Sequence, residues 1–148
     1  MSRYVHAFLR DAQEPEVREF LTQAYSQQED PWILGDKGDA RLYIWLYRTQ
    51  DVADNNDLGE PNEVQRLIDA FDGLPSLMVS VQVSGRHEGT AEVKQFLNLI
   101  LNRFTGLAED EYVPALWTLE EINAGVKKET EVRQTTLKLP FFAYKDYR

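Results

Sequence analysis

Residues 42–47 read Leu-Tyr-Ile-Trp-Leu-Tyr, with aliphatic and aromatic side chains alternating at period two. In a strand this run sends Leu42, Ile44 and Leu46 to one side and Tyr43, Trp45 and Tyr47 to the other. The aliphatic side is a core face, and the aromatic side is too apolar for ordinary solvated surface. The same division recurs near the N-terminus, where Val5, Ala7 and Leu9 oppose Tyr4, His6 and Phe8. It recurs again over residues 77–83, where Leu77, Val79, Val81 and Val83 oppose Met78, Ser80 and Gln82. A sheet built from these strands has an aliphatic face for helices and a far face that is a platform of Tyr4, His6, Phe8, Tyr43, Trp45, Tyr47 and Met78.

Helical periodicity separates the strands. Val17, Phe20, Leu21, Ala24 and Tyr25 form one stripe after Pro15, with Glu14, Glu16 and Glu19 near the positive helix end. Pro61 opens a second helix with stripe Val64, Leu67, Ile68 and Phe71, stopped by Asp72-Gly73. Val93, Phe96, Leu97, Ile100, Leu101 and Phe104 define a third, with Gly106 read as its C-cap. Two glycines between residues 32–34 and 41–48 suit a hairpin. The order βαββαβα predicts an α+β fold, a ferredoxin-like two-layer sandwich with a βαββαβ core, an antiparallel sheet with both helices on one face, and an added helix. Thr118 and Glu121 make a capping-box pattern for a short helix that Gly125 could end.

The chain is expected to be one domain, residues 1–148, with a core over 1–106 and a C-terminal extension over 107–148 docked on it. Its apolar end, Pro140-Phe141-Phe142-Ala143-Tyr144, is what a free tail would rarely expose. Residues 1–126 carry 10 basic and 22 acidic side chains, and residues 127–148 carry 6 and 3, so attraction favours docking.

Composition narrows the chemistry. With no cysteine there is no thiolate nucleophile or zinc ribbon, and only His6 and His87 offer imidazole. No cofactor is expected. A net charge of −9 disfavours nucleic acid and anionic membrane surfaces, and no apolar run approaches a membrane span, so a cytoplasmic protein is expected. Asp54-Asn55-Asn56-Asp57-Leu58-Gly59 fails as a calcium loop, because Leu58 falls on a ligand position and Gln65 stands where the bidentate Glu belongs. No Gly-x-Ser-x-Gly elbow or P-loop is present, and Arg41 is followed by Leu42 where an RNA-recognition motif has glycine.

Two regions remain as candidates. The first is the platform, with Tyr4, His6, Tyr43, Trp45 and Tyr47 as partner- or ligand-binding residues. It is covered by the C-terminal forty or so residues, or packs on a partner or second copy, or walls a small-molecule pocket. The second is Gly85-Arg86-His87, where a strand enters a helix N-terminus that could hold an anion. In size, acidity and lack of cysteine or catalytic motifs the chain resembles small inhibitor and immunity proteins that neutralise bacterial toxins, and no motif ties it to a family. That resemblance implies a non-enzymatic protein-interaction domain that binds a basic partner, with homodimerisation as another use of the face. The alternative is a small-molecule-binding domain or enzyme with a pocket between the sheet face and the C-terminal segment.

Overall fold

The computed structural model describes residues 3–25, 30–36, 38–55, 61–111, 113–132 and 134–143. In chain order the elements are β1 (Arg3–Leu9), α1 (Glu14–Tyr25), β2 (Trp32–Asp36), β3 (Asp39–Arg48), α2 (Thr49–Asp54), α3 (Pro61–Phe71), β4 (Leu77–Val83), α4 (Thr90–Arg103), β5 (Gly106–Asp110), α5 (Leu119–Ala124), β6 (Lys127–Val132) and β7 (Thr135–Pro140). Five strands form one antiparallel sheet in the order β2-β3-β4-β1-β5, and β6 pairs with β7 in a separate hairpin.

The period-two pattern is carried out as read. Val5, Ala7, Leu9, Leu42, Ile44, Val79 and Val81 share one core with Val17 and Leu21 of α1 and Val93, Phe96, Leu97 and Ile100 of α4. Trp32, fully buried, joins them, and its indole N–H donates to Thr22 Oγ1 at 3.3 Å. Ala24, expected on the α1 stripe, is exposed.

The mixed α+β class with an antiparallel sheet holds, but the ferredoxin-like arrangement does not. That arrangement places β1 and β2 parallel with one strand between them; here both β3 and β4 lie between them, so β1 and β2 are antiparallel. The helices also divide between the two faces. Leu67 and Phe71 of α3 and Val52 of α2 pack on Phe8 and Met78, a second cluster on the far face. An α3 stripe needs an apolar surface, and the aromatic rows offer one as readily as the aliphatic rows.

Gly106 is not a helix cap. The α4 helix closes at Phe104, whose N–H donates to the Ile100 carbonyl, and Gly106 opens β5 beside Leu9. A Cβ there would stand 2.1 Å from the Phe8 carbonyl oxygen, so glycine is required by close approach of two backbones. The boundary expected after residue 106 therefore falls at the start of a strand of the main sheet. The capping box of α5 is present, with Glu121 N–H donating to Thr118 Oγ1 at 3.0 Å, and Gly125 ends that helix at φ 69°.

Among the described residues, the end of the C-terminal segment docks on the large core, while Leu107 and Leu116 earlier in the extension pack against the Phe8 and Met78 cluster on the far face. Leu139, Phe141, Phe142 and Ala143 belong to the large core together with Val113, Trp117 and Ile122. The Phe141 ring meets Trp117 edge-on at 5.8 Å, and the Phe142 N–H donates to Asp110 Oδ2 at 2.6 Å. Lys128 lies over the Trp117 ring and donates to the Leu116 carbonyl and to Glu121, an instance of the basic tail meeting the acidic body. Tyr144 lies outside the described residues.

Candidate functional site

The strand register arranges the far face in rows. Tyr4, Gln82 and Tyr43 face one another across β1, β4 and β3; His6, Ser80 and Trp45 form the next row; Phe8, Met78 and Tyr47 form the third. The five platform residues singled out by sequence thus lie on one sheet face. They do not share one environment. Phe8 and Met78 are buried under α2 and α3, whereas Tyr4 and Tyr47 are 37% and 40% exposed and Tyr43 and Trp45 are half-buried. Tyr43 and Trp45 stack with ring centroids 6.1 Å apart. Burial, then the charge of Asp30 and the phenol of Tyr4, pushes the Tyr47 hydroxyl above its ordinary range.

Where the platform passes under α3 it becomes a cleft of about 340 Å³. Phe8, Leu67, Met78 and Pro114 supply its apolar lining, and His6, Glu63, Arg66, Glu109, Asp110 and Glu111 its polar groups. His6 and Glu109 are cross-strand partners in the β1–β5 pairing, which puts their side chains on the same face. Arg66 reaches down from α3 to ion-pair with Glu109 Oε2. Burial nevertheless raises the Glu109 carboxyl from 4.5 to about 7, with Arg66 opposing the rise and Glu63 and Asp110 adding to it. Burial also lowers His6 from 6.5 to about 4, so the ring is neutral near pH 7. Among the described residues, its buried Nδ1 has no hydrogen-bond partner, and neither has Arg66 Nε.

Asp110, 2% exposed, anchors two stretches of backbone, because its carboxylate oxygens accept the Val113 and Phe142 N–H groups at 2.8 and 2.6 Å. Glu111 Oε1 accepts the Tyr4 N–H at 3.1 Å. Glu63 and Arg66 were not among the residues that sequence reasoning selected, and Glu109, which lies in β5, reads in the sequence only as part of a solvated acidic run, Glu109-Asp110-Glu111. The available signal was the cross-strand position of Glu109 opposite His6, and it required recognising β5 as a strand.

The hollows on either side separate the other candidates. Tyr47 lines one of about 370 Å³ with Asp51, Val52 and Asn55, while Tyr43 and Arg86 line one of about 580 Å³ beside the β2–β3 turn, with Asp36 and Asp39. The acidic segment after Tyr47 is partly helical, as α2, and Asp57 and Glu60 lie outside the described residues.

At Gly85-Arg86-His87 the imidazole and the His87 carbonyl are used within the fold. His87 Nε2 bonds Asp39 Oδ1 at 2.9 Å, and the Arg3 guanidinium donates to the carbonyls of His87 and Glu88. Glu88 accepts the Thr90 N–H at 3.0 Å, so the chain's own carboxylate sits at the start of α4. Gly89, at φ 83°, is the N-cap of α4, and a Cβ there would strike Val83. Among the described residues, no helix is long and apolar enough to cross a membrane. Compared with known protein families, curated proteins and solved structures, the chain matches none.

Proposed function

We infer that the chain is a non-enzymatic protein-interaction domain, of the inhibitor or immunity kind, that binds a basic partner through the open part of the far sheet face. One observation supports this above the rest: Tyr4, Tyr43, Trp45 and Tyr47 remain partly exposed on a sheet whose opposite face is sealed. Tyrosine and tryptophan combine large apolar area with a polar tip and few rotatable bonds, which suits a surface that must be wet when free and dry when bound. Carboxylates at Asp30, Glu109 and Glu111 border the rings, and a net charge of −9 steers a cationic protein toward them.

The test begins with capture from a lysate at low and moderate salt, followed by reconstitution with the purified retained protein. The expected result is a complex with a basic protein whose association slows with added salt and which a folded Tyr43→Ala, Trp45→Ala variant does not form. Equal binding by that variant, or retention of no basic protein, refutes the reading. Self-association in sedimentation, lost in the same variant, assigns the face to a second copy instead.

A second reading, a small-molecule-binding domain or enzyme, is favoured by the displaced protonation of Glu109 and His6 in a cleft. It places the pocket between the sheet and α3, with His6 in it and Tyr43 and Tyr47 outside. Calorimetry across a metabolite panel tests it, and silence from the wild type removes it.

A further inference from the structure

The helix that covers part of the far sheet face is lightly held. Of the α3 side chains described, only Leu67 and Phe71 are buried, while Val64 and Ile68 of the same stripe are half-buried. On the opposite face α4 buries Val93, Phe96, Leu97 and Ile100 in the large core. The α3 cluster is small and separate from that core. Leu67, Phe71 and Val52 sit on Phe8 and Met78, with Leu74, Leu107 and Leu116 at the margin. Protein interiors are close-packed, with few voids larger than a water molecule. Here a cleft of about 340 Å³ undercuts the helix, lined by Leu67 from α3 and by Phe8 and Met78 from the sheet.

We propose that α3 is a lid, which leaves the far face as a unit while the five-stranded sheet, α1 and α4 stay folded, and so uncovers Phe8 and Met78. The exit from the helix suits a pivot. Asp72 at φ 56° and Gly73 at φ 132° end it, and nothing lies within 4 Å of the place a Gly73 Cβ would take. Beyond them Ser76 refastens the chain, its N–H donating to the Leu9 carbonyl at 3.0 Å and its Oγ to the Ala12 carbonyl at 2.9 Å. The preceding helix α2 is not part of the lid, because Thr49 is fully buried and its N–H donates to the Ser76 carbonyl at 3.3 Å.

Polar contacts latch the closed state. Arg66 ion-pairs with Glu109 of β5, and the Arg10 guanidinium lies 5.4 Å from the Phe71 ring centre and donates to the Ala70 carbonyl at 3.4 Å. Opening adds Phe8 and Met78 to Tyr47 and completes the third row of the platform, a row that α3 occupies when closed. This use of the lid rests on the partner-binding reading above; the motion itself does not.

The experiment exploits neighbours in β4. Met78 lies under α3, and Val79, next to it, lies in the large core on the other face. The chain has no cysteine, so Met78→Cys and Val79→Cys each carry a single reporter thiol. In native buffer a thiol reagent should label position 78 at least about tenfold faster than position 79. Labelling at position 78 should depend weakly on low urea, as a local opening does, while position 79 follows global unfolding. Arg10→Ala removes one latch and should speed labelling at position 78 about two- to fivefold. Hydrogen exchange of the unsubstituted chain is the second measurement. An 11-residue helix off its seat is marginal in water, so α3 amides should exchange at least about a hundredfold faster than the slowest of α4.

Equal labelling at the two positions, the urea dependence of global unfolding at position 78, or α3 amides as protected as those of α4 overturns the lid. Labelling at position 78 that ignores both urea and Arg10→Ala is access without opening, and overturns it too. Failure of the partner reading is distinguishable, because these measurements use no partner: a lid that opens while no basic protein is retained stands alone. If a basic protein is retained and α3 is as protected in the complex as in the free chain, the reading survives and the lid's use in binding is overturned.

Discussion

Replacing Glu109 by Gln and His6 by Asn, singly and together, should separate two opposed pH dependences that nearly cancel in the wild type. The folded state holds the His6 pKa near 4 against 6.5 in the unfolded chain. Between those values the unfolded state binds the extra proton, so His6 makes stability rise with pH. Glu109 is held near 7 against 4.5, so between those values the folded state binds the extra proton and stability falls as pH rises. At about 1.4 kcal/mol for each factor of ten in proton affinity, each full effect is about 3 kcal/mol. The two overlap between about pH 4.5 and 6.5, where the wild type should be nearly flat. Glu109→Gln should uncover a rise of about 3 kcal/mol from pH 4 to 6.5, and His6→Asn a fall of similar size from pH 4.5 to 7. Carboxylates held low by partners, such as Glu14 and Glu121, lose their contribution as pH falls through the acidic range, in every variant alike. Urea unfolding followed by tryptophan fluorescence at a series of pH values gives the profiles, since Trp32 and Trp117 are fully buried. Profiles of the two single variants that run parallel to the wild type would refute the burial argument for both groups.

Gly106→Ala should cost at least about 3 kcal/mol, because the new Cβ meets a carbonyl oxygen of the neighbouring strand rather than a side chain that can rotate away. A urea midpoint equal to the wild type's would show that β5 does not lie against Phe8. Asp110→Ala leaves two buried N–H groups, those of Val113 and Phe142, without their acceptor, and should cost roughly 2–5 kcal/mol. Limited proteolysis should then cut the C-terminal segment first, and unchanged cleavage would refute the anchoring role.

Strand and helix positions were legible wherever one period dominated. Residues 42–47 and 77–83 alternate cleanly, Val93, Phe96, Leu97 and Ile100 of the α4 stripe pack in the large core, and Leu67 and Phe71 of the α3 stripe pack in the second cluster while Val64 and Ile68 are half-buried. The choice of face was not legible. An amphipathic helix such as α3 carries no mark for one apolar sheet face over another when both are apolar, so the two-layer expectation failed at the aromatic face itself. The strand β5 was hidden for another reason. Gly-Leu-Ala-Glu-Asp has weak strand propensity and ends in two acids, one of them buried only because distant amides at Val113 and Phe142 converge on it. The tail's docking was foreseeable from its apolar end, but its partner was not, since Trp117 is reached through long-range packing against Phe141.

The candidate site follows the same division. The aromatic platform was visible because it belongs to single strands, whereas Glu63, Arg66 and Glu109 come from two elements that meet only in the folded chain. Their arrangement has an energetic meaning. A carboxylate buried beside two others, and partly protonated near neutral pH despite a guanidinium in contact, makes the free fold less stable than a neutral side chain of the same shape would. His6 Nδ1, buried and without a partner among the described residues, adds to that cost. Neither feature helps the sheet, whose opposite face already supplies the larger core. The pair Glu109→Gln and Arg66→Met should therefore stabilise the fold in urea unfolding by about 1–4 kcal/mol, and an unchanged or lowered midpoint would refute that account.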